Sequence, residues 1–493
     1  MPANEGTCVR SGFAQSRGLH FRFVLSTAAA VAFFLAGCML GPKYVRPSAD
    51  VPANYKESAN FTPARPGDAI AKGKWWEVYQ DPQLSSLEEQ IAVSNQTLKA
   101  EQAQFLQARA AVRVSRSSLY PTATGSLAIS RTGQSTNKAL FSSTEVRTYN
   151  DFLLPVDVSY EADVWGRVRR TVEASRSEAQ ATAADLANVG LTLQAELALD
   201  YFSLRGLDAQ KQLLDSTVVS YQKALDLTQT RYNGGLASAV DVAQAQTQLE
   251  TTRAQSIDVE VQRAQFEHAI AVLIGKPPAN FMLPAIPLTA PPPSVPPGLP
   301  SELLQRRPDI AAAERRVQEA NANIGVARAA YFPTITLGGG GGFESAAIGT
   351  LLQGPSGFWS LAGQAAEVLF DGGMRRGVSE QARAAYDQSV DNYRETVLGA
   401  FQEVDDNLSA LRILEREAET EDGAVAAAEH SLSLSITRYR GGVTNYLEVT
   451  TAQTAALSDQ VTAVNILSRR MSASVLLVKA IGGGWDASKI PAI

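Results

Sequence analysis

One stretch occurs twice, 207 residues apart: Arg231-Tyr-Asn-Gly-Gly-Leu-Ala-Ser-Ala-Val-Asp241-Val and Arg438-Tyr-Arg-Gly-Gly-Val-Thr-Asn-Tyr-Leu-Glu448-Val. A Gly-Gly pair between two long apolar-periodic segments marks a place where a helix stops and the chain reverses, because glycine supplies the left-handed backbone needed there. Both copies carry an acid six positions after the second glycine, and both continue into Ala-Gln-Thr, at 245–247 and 452–454. A 493-residue chain with such a period is two copies of one unit rather than three unrelated domains.

The unit can be read in order. From Leu84 the apolar positions Leu84, Ile91, Leu98, Phe105, Val112 and Leu119 advance by sevens, a coiled-coil seam. After Tyr120-Pro121 the period becomes two. Ala123, Gly125, Leu127 and Ile129 alternate with polar residues, and so do Val156, Val158, Tyr160, Ala162 and Val164, opposite an acidic face. Such strands fit a membrane barrel with lipid outside and water inside, and equally a half-buried soluble sheet. From Arg167 to Arg231 there is no proline, which predicts a helix about 97 Å long at 1.5 Å per residue. Residues 277–300 carry ten prolines and form a stiff connector.

The second copy replays this order. Leu299-Pro-Ser-Glu-Leu-Leu-Gln-Arg-Arg-Pro-Asp-Ile310 opens a helix, Tyr331-Phe-Pro-Thr-Ile-Thr-Leu337 matches Tyr120-Pro-Thr-Ala-Thr124, and a fourth, less regular strand falls near 359–370. Val397, Phe401, Val404, Leu408 and Leu411 mark a second long seam leading to the second tip. Trp165 and Trp359 stand at strand ends, where an interfacial aromatic belt or ordinary packing would place them. The predicted division is a signal at 1–37, a lipidated extended segment at 38–83, repeat 1 at 84–276, the connector at 277–300, repeat 2 at 301–481 and a tail at 482–493.

The amino terminus carries Arg10, Arg17 and Arg22, an apolar run from Phe23 to Leu35, and Leu35-Ala-Gly-Cys38. This reads as a secretory signal ending in a lipobox, with Cys38 lipidated. About 13 apolar residues are too few to span a bilayer. Three arginines and one acid precede Cys38, so the net charge moves from −6 to −8 on cleavage, which argues against a nucleic-acid partner. Cys8 would leave with the signal, and no disulfide is then available. No other segment reads as apolar enough for a transmembrane helix, which leaves a β-barrel as the way across a membrane. Four strands cannot close one, so several chains are expected to share it, three at the least for comfort.

Motifs for catalysis are missing from the sequence. His20, His268 and His430 are isolated, there is no His/Cys cluster with metal-ligand spacing, and there is no P-loop or Gly-x-Ser-x-Gly. Gly338 to Gly342 continues a strand and is not followed by a helix, so it is a strand end or a loop rather than a dinucleotide fingerprint. Five methionines offer no thioether path for copper(I). No cofactor and no enzyme activity is expected.

The lipobox with Gly41-Pro-Lys-Tyr-Val-Arg-Pro47, Trp75-Trp76 ahead of Asp81-Pro82, the 299–310 and 324–333 stretches, both Arg-Tyr-x-Gly-Gly tips and Ala480-Ile-Gly-Gly-Gly-Trp485 together resemble the TolC-type outer-membrane factors of tripartite efflux pumps. Their lipoprotein branch, OprM-like or NodT-like, is the nearer. The resemblance implies a mainly α protein with a membrane β-barrel. Three chains of four strands would form a twelve-stranded barrel, continued by an α-helical tunnel across the periplasm. It implies a homotrimer in the outer membrane, docked on a periplasmic adaptor and an RND-type inner-membrane transporter, acting as an exit duct for small molecules. A protein-secretion duct shares this fold, and a periplasmic coiled-coil scaffold without a barrel would share the helices.

The same resemblance implies that Arg231, Tyr232, Gly234, Gly235, Arg438, Tyr439, Gly441 and Gly442 form the adaptor dock. It places the periplasmic gate at Leu447, with Asp241 and Glu448 beside it. Related lipoprotein channels carry an aspartate four positions after that leucine and an arginine three beyond. Here those positions are Thr451 and Thr454, so a ring of three Leu447 side chains takes the closing role and six carboxylates would favour cations. Crowding of those carboxylates is expected to raise some of their pKa values. Capping of the helices they begin is the other role open to Asp241 and Glu448.

Overall fold

The computed structural model describes residues 39–57, 73–135, 137, 139, 147–295, 298 and 300–493. Cys38, the signal and parts of the N-terminal and proline-rich segments lie outside them. The described chain forms two compact units, each drawing on both repeats.

One unit takes the described residues up to Arg46 with residues 109–178 and 317–389, and holds an antiparallel sheet. The strands are β1 (Thr122–Gly125), β2 (Ala128–Gly133), β3 (Thr148–Glu161), β4 (Thr334–Ser345) and β5 (Gly357–Ala366). Both β1 and β2 pair with β3, so they are one strand with a break, and the unit has four strand positions. β3 pairs with β4 and thereby joins the repeats, Tyr160 opposite Leu337 and Pro155 opposite Gly342. β4 pairs with β5. The fourth strand ends at Ala366 and not near 370, since residues 367–371 run irregularly ahead of the Gly372-Gly373 turn into the next helix.

The glycine run is strand and not loop. A side chain at Gly342 would collide with the Leu154 carbonyl oxygen, and one at Gly340 would lie 2.6 Å from Asp157 Oδ1, so glycine is what lets β4 approach β3. β1, β2 and β5 expose nearly all of their side chains, Trp359 among them. Trp165 is instead packed, its Nε1–H donating to the Pro333 carbonyl at 2.8 Å and its ring 4.8 Å from that of Phe332. The segment from Met39 to Pro47 is extended, as expected, but it is clamped. Arg170, nearly buried, donates to the Leu40 and Pro42 carbonyls at 3.0 and 3.1 Å.

The other unit is helical, comprising residues 47–108, 179–316 and 390–493 within the described chain. The helices are α1 (Pro82–Ser94), α2 (Gln96–Ser117), α3 (Arg167–Asn233), α4 (Ala239–Leu273), α5 (Pro300–Arg306), α6 (Pro308–Ala329), α7 (Met374–Arg440) and α8 (Tyr446–Ala480). α3 and α7 begin in the sheet unit and continue into this one. The seam from Leu84 to Leu119 is not one helix, because the chain breaks at Asn95. The break has a use: Asn95 Nδ2 donates to the Leu273 carbonyl at 2.8 Å, and in repeat 2 Arg307 Nη1 donates to the Ala480 carbonyl at 3.1 Å. Those acceptors sit 207 residues apart, so both repeats fasten the end of their returning helix in the same way.

The α7 seam is buried at Val397, Phe401, Val404, Leu408 and Leu414, with Leu411 half-buried. In α3, buried Ala179, Ala181, Ala184, Ala195 and Ala198 admit close helix packing. By length and composition α8 qualifies as a helix able to cross a membrane, contrary to the expectation that no such segment follows the signal. Its apolar positions are used inside the unit instead, where Val475, Leu477 and Val478 are fully buried.

Extended segments are strapped onto the helices by ions. Arg205 Nη1 donates to the Pro284 carbonyl at 2.6 Å and pairs with Asp208 at 3.0 Å, while Asp208 also accepts Arg263 at 2.7 Å and the Ile286 N–H at 2.9 Å. Arg412, 207 residues after Arg205, pairs with Glu57 at 2.5 Å. The proline-rich connector and the N-terminal segment are thus held at equivalent places.

Candidate functional site at the hairpin tips

Both Gly-Gly motifs form the same turn. Leu236 N–H donates to the Arg231 carbonyl at 2.8 Å and Gly235 N–H to the Tyr232 carbonyl at 2.9 Å. In the second tip Val443 donates to Arg438 and Gly442 to Tyr439, each at 3.0 Å. Gly235 and Gly442 take φ of +71° and +74°. This six-to-one bond closing over a left-handed glycine satisfies carbonyls that the ending helix leaves open. Gly234 and Gly441 precede them with ordinary backbone.

The two tips are locked together. Arg231 Nη1 reaches across to the Arg440 carbonyl at 2.9 Å, and its guanidinium lies 4.9 Å from the centre of the Tyr439 ring. The arginine so caps the end of α7 and is drawn to the ring face. In the other direction Asp241 Oδ1 accepts the Tyr446 N–H at 3.2 Å. Its Oδ2 accepts the Ser238 N–H and hydroxyl, both at 2.9 Å, while Ser238 Oγ accepts the Asp241 N–H at 3.2 Å. This is a capping box on α4 that also caps α8, whose own Asn445 makes no side-chain cap. Burial works against ionisation of Asp241, but the Ser238 and Tyr446 bonds and the Arg231 charge outweigh it and hold the carboxyl below its ordinary range.

Glu448 occupies the matching place in α8 but is held differently. It pairs with Arg438 at 3.1 Å and accepts the Thr444 hydroxyl at 2.6 Å. Tyr439 is 4% exposed and packs edge to face on Tyr446, with Ala245 and Val449 beneath. Tyr232, its counterpart, is 44% exposed. Leu447 is 54% exposed, and Leu236, Val240 and Val443 are exposed as well. Thr451 and Thr454 return their hydroxyls to the carbonyls of Leu447 and Thr450, at 2.9 and 3.0 Å, so neither replaces a charged latch.

The fold therefore brings Arg231 to Tyr439 and Asp241 to Tyr446, and it leaves Tyr232 and Leu447 outward. Sequence reasoning overlooked Ser238 and Tyr446. It also missed a polar cleft of about 510 Å³ between α4 and α8, lined by Gln248, Gln255 and Gln262 and by Thr454, Ser458 and Thr462. The three glutamines advance by sevens, and that signal could have found them.

Comparison with known proteins agrees with this architecture. The model of the outer membrane efflux protein family matches residues 87–276 and 299–483, one span per repeat. The probable efflux pump outer membrane protein SepC of Pseudomonas putida F1 is 33% identical over 469 residues, covering 94% of this chain and 97% of its own. The toluene efflux pump outer membrane protein TtgF, from a second Pseudomonas putida strain, matches to the same extent. The solved outer-membrane channel OprN superposes with a TM-score of 0.85 at 28% identity, covering 91% of this chain and all of its own. With both repeats matched and the channel fold shared, the chain belongs to the outer membrane efflux protein family.

Proposed function

We propose that this chain is the outer-membrane exit duct of a tripartite efflux pump, built as a homotrimer. The observation that carries the reading is the sheet: four strand positions with two unpaired edges, β1/β2 on one side and β5 on the other. An open edge is not tolerated in lipid, and copies of the chain pairing edge to edge close it into a twelve-stranded barrel. The helices continue the passage on the periplasmic side. The duct does no chemistry and uses no cofactor; the inner-membrane transporter supplies the driving force. TtgF is named for toluene, and small organic compounds are the cargo class we assign here.

The tips dock the periplasmic adaptor through Arg231, Tyr232, Gly234, Gly235, Arg438, Gly441 and Gly442, with exposed Leu236 and Val443 offering apolar contact, while Tyr439, buried against Tyr446, supports the second tip from beneath. Leu447 closes the pore by a ring of three apolar side chains. Cys38 carries the lipid anchor. Co-purification from membranes tests the assembly: an adaptor and an RND-type transporter are expected with the tagged chain, and a protein-secretion ATPase in their place would reject the cargo class. Mass spectrometry of the mature amino terminus tests the anchor, an unmodified Cys38 being the contrary result.

A further inference from the structure

The polar cleft between α4 and α8 has no part in the tips, and its side of the wall follows from the helices that line it. On α3, Arg205 and Asp208 hold the proline-rich connector. Gln210, which borders the cleft, follows Arg205 by five residues, about 140° further round the helix. On α4, Arg263 and Glu267 hold the same connector at Leu283. Asp258, on the cleft, precedes them by five and nine residues, about 140° and 180° away. The cleft therefore opens on the side of α3 and α4 turned away from the connector. A connector wrapped inside a helical duct would fill its bore, so it belongs outside, and the cleft faces the passage.

Neutral hydrogen-bonding groups line it. Gln248, Gln255 and Gln262 advance by sevens along α4, over about 21 Å. Gln248 Nε2 donates across to Thr454 Oγ1 at 3.3 Å, whereas Gln255 and Gln262 have no partner among the described residues. Thr454 and Thr462 give their hydroxyl hydrogens to the Thr450 and Ser458 carbonyls, at 3.0 and 2.9 Å, so the cleft meets their lone pairs. Leu214, Val259 and Leu457, packed as one buried cluster, make the floor. Asp258 is the one charged side chain along the cleft among the described residues, and Arg263 is paired with Asp208 on the connector side.

We propose that this cleft is a cargo subsite in the wall of the duct, taking uncharged, hydroxyl-rich solutes with an apolar face, such as short oligosaccharides and glycosides. A hydroxyl donates and accepts at once, which matches a free glutamine amide on one side and a threonine lone pair on the other. The C–H face of a sugar ring covers the floor of Leu214, Val259 and Leu457. An anion finds no cation there, and a cation finds a single carboxylate. At about 510 Å³ the cleft falls within the roughly 300–1,000 Å³ of small-molecule sites. All of its residues come from one chain, so each copy in the duct carries its own. The cleft is a resting place on the path of the cargo, and this inference rests on the duct proposed above.

Single-channel recording in planar bilayers tests it, with Leu447→Ala channels as the open background and maltotriose as the probe. Maltotriose is expected to interrupt the current in discrete events. Adding Gln255→Leu and Gln262→Leu removes two hydrogen-bonding amides and is expected to shorten those events about tenfold. Channels that conduct without maltotriose events, or with events of equal length in the glutamine variants, would overturn the proposal and leave the duct reading intact. Events from spermidine with none from maltotriose would give the cleft to cations through Asp258 and overturn it as well. A bilayer that stays silent with trimers inserted would strike the duct reading itself.

Discussion

The carboxylate of Asp241 accepts the backbone N–H of Tyr446 at 3.2 Å, so the start of one returning helix is capped by a side chain from the start of the other. A single acid serves two helix ends, and the hairpins of the two repeats cannot separate without breaking it.

Asp241→Ala is expected to loosen the tips. Loss of a cap costs about 0.5–2 kcal/mol, here shared between α4 and α8. Because the folded carboxyl sits below its ordinary pKa, its contribution is complete above the ordinary value near 3.8 and fades as pH falls through the lower folded value. Hydrogen exchange at residues 236–246 and 443–450 is expected to quicken in Asp241→Ala at pH 7. The tips of the native chain are expected to loosen only in strong acid. Equal exchange in both proteins at pH 7 would contradict this.

Gly235→Leu and Gly442→Leu separate docking from folding. Around Gly235 there is open space, and a side chain at Gly442 would meet only Arg231 Nη2 at 3.8 Å, so the cost is the left-handed backbone, about 1–2 kcal/mol. Trimers and surface abundance are expected to survive while co-purification of the adaptor is lost. If the adaptor still co-purifies with both variants, the dock lies elsewhere.

Much of this was legible in the sequence because the signals are local. A proline-free run, two glycines and a heptad seam suffice for α3, the tips and α7. The Asn95 break was hidden because one residue interrupts the helix without shifting the sevens. The start of β3 was hidden because Tyr149, Asn150 and Asp151 are followed by Phe152, Leu153 and Leu154 in a row, which shows no period of two. The Asp241 to Tyr446 bond was out of reach for another reason: it depends on how two distant repeats meet.

Arg205→Ala is expected to destabilise the helical unit. The side chain is buried, and its loss leaves the Pro284 carbonyl and part of the Asp208 charge unpaired. Breaking a buried pair costs about 3–5 kcal/mol. Arg412→Ala, whose pair is partly exposed, is expected to cost less. Heat-induced dissociation of trimers ranks the two, and the reverse order would contradict the strap account.

Closure is expected to depend on Leu447 more than on charge. Leu447→Ala is predicted to raise antibiotic leakage and single-channel conductance, whereas Glu448→Gln is predicted mainly to weaken cation preference, read as a shift of the reversal potential in a salt gradient. Unchanged conductance in Leu447→Ala would place closure on other residues.

The account as a whole stands on one claim, that copies of this chain enclose a water-filled path through the outer membrane. Purified trimers in a planar bilayer test it most directly. Discrete conductance steps are predicted, cation-preferring in a salt gradient and larger in Leu447→Ala. A bilayer that stays silent with intact trimers of that variant inserted would contradict it.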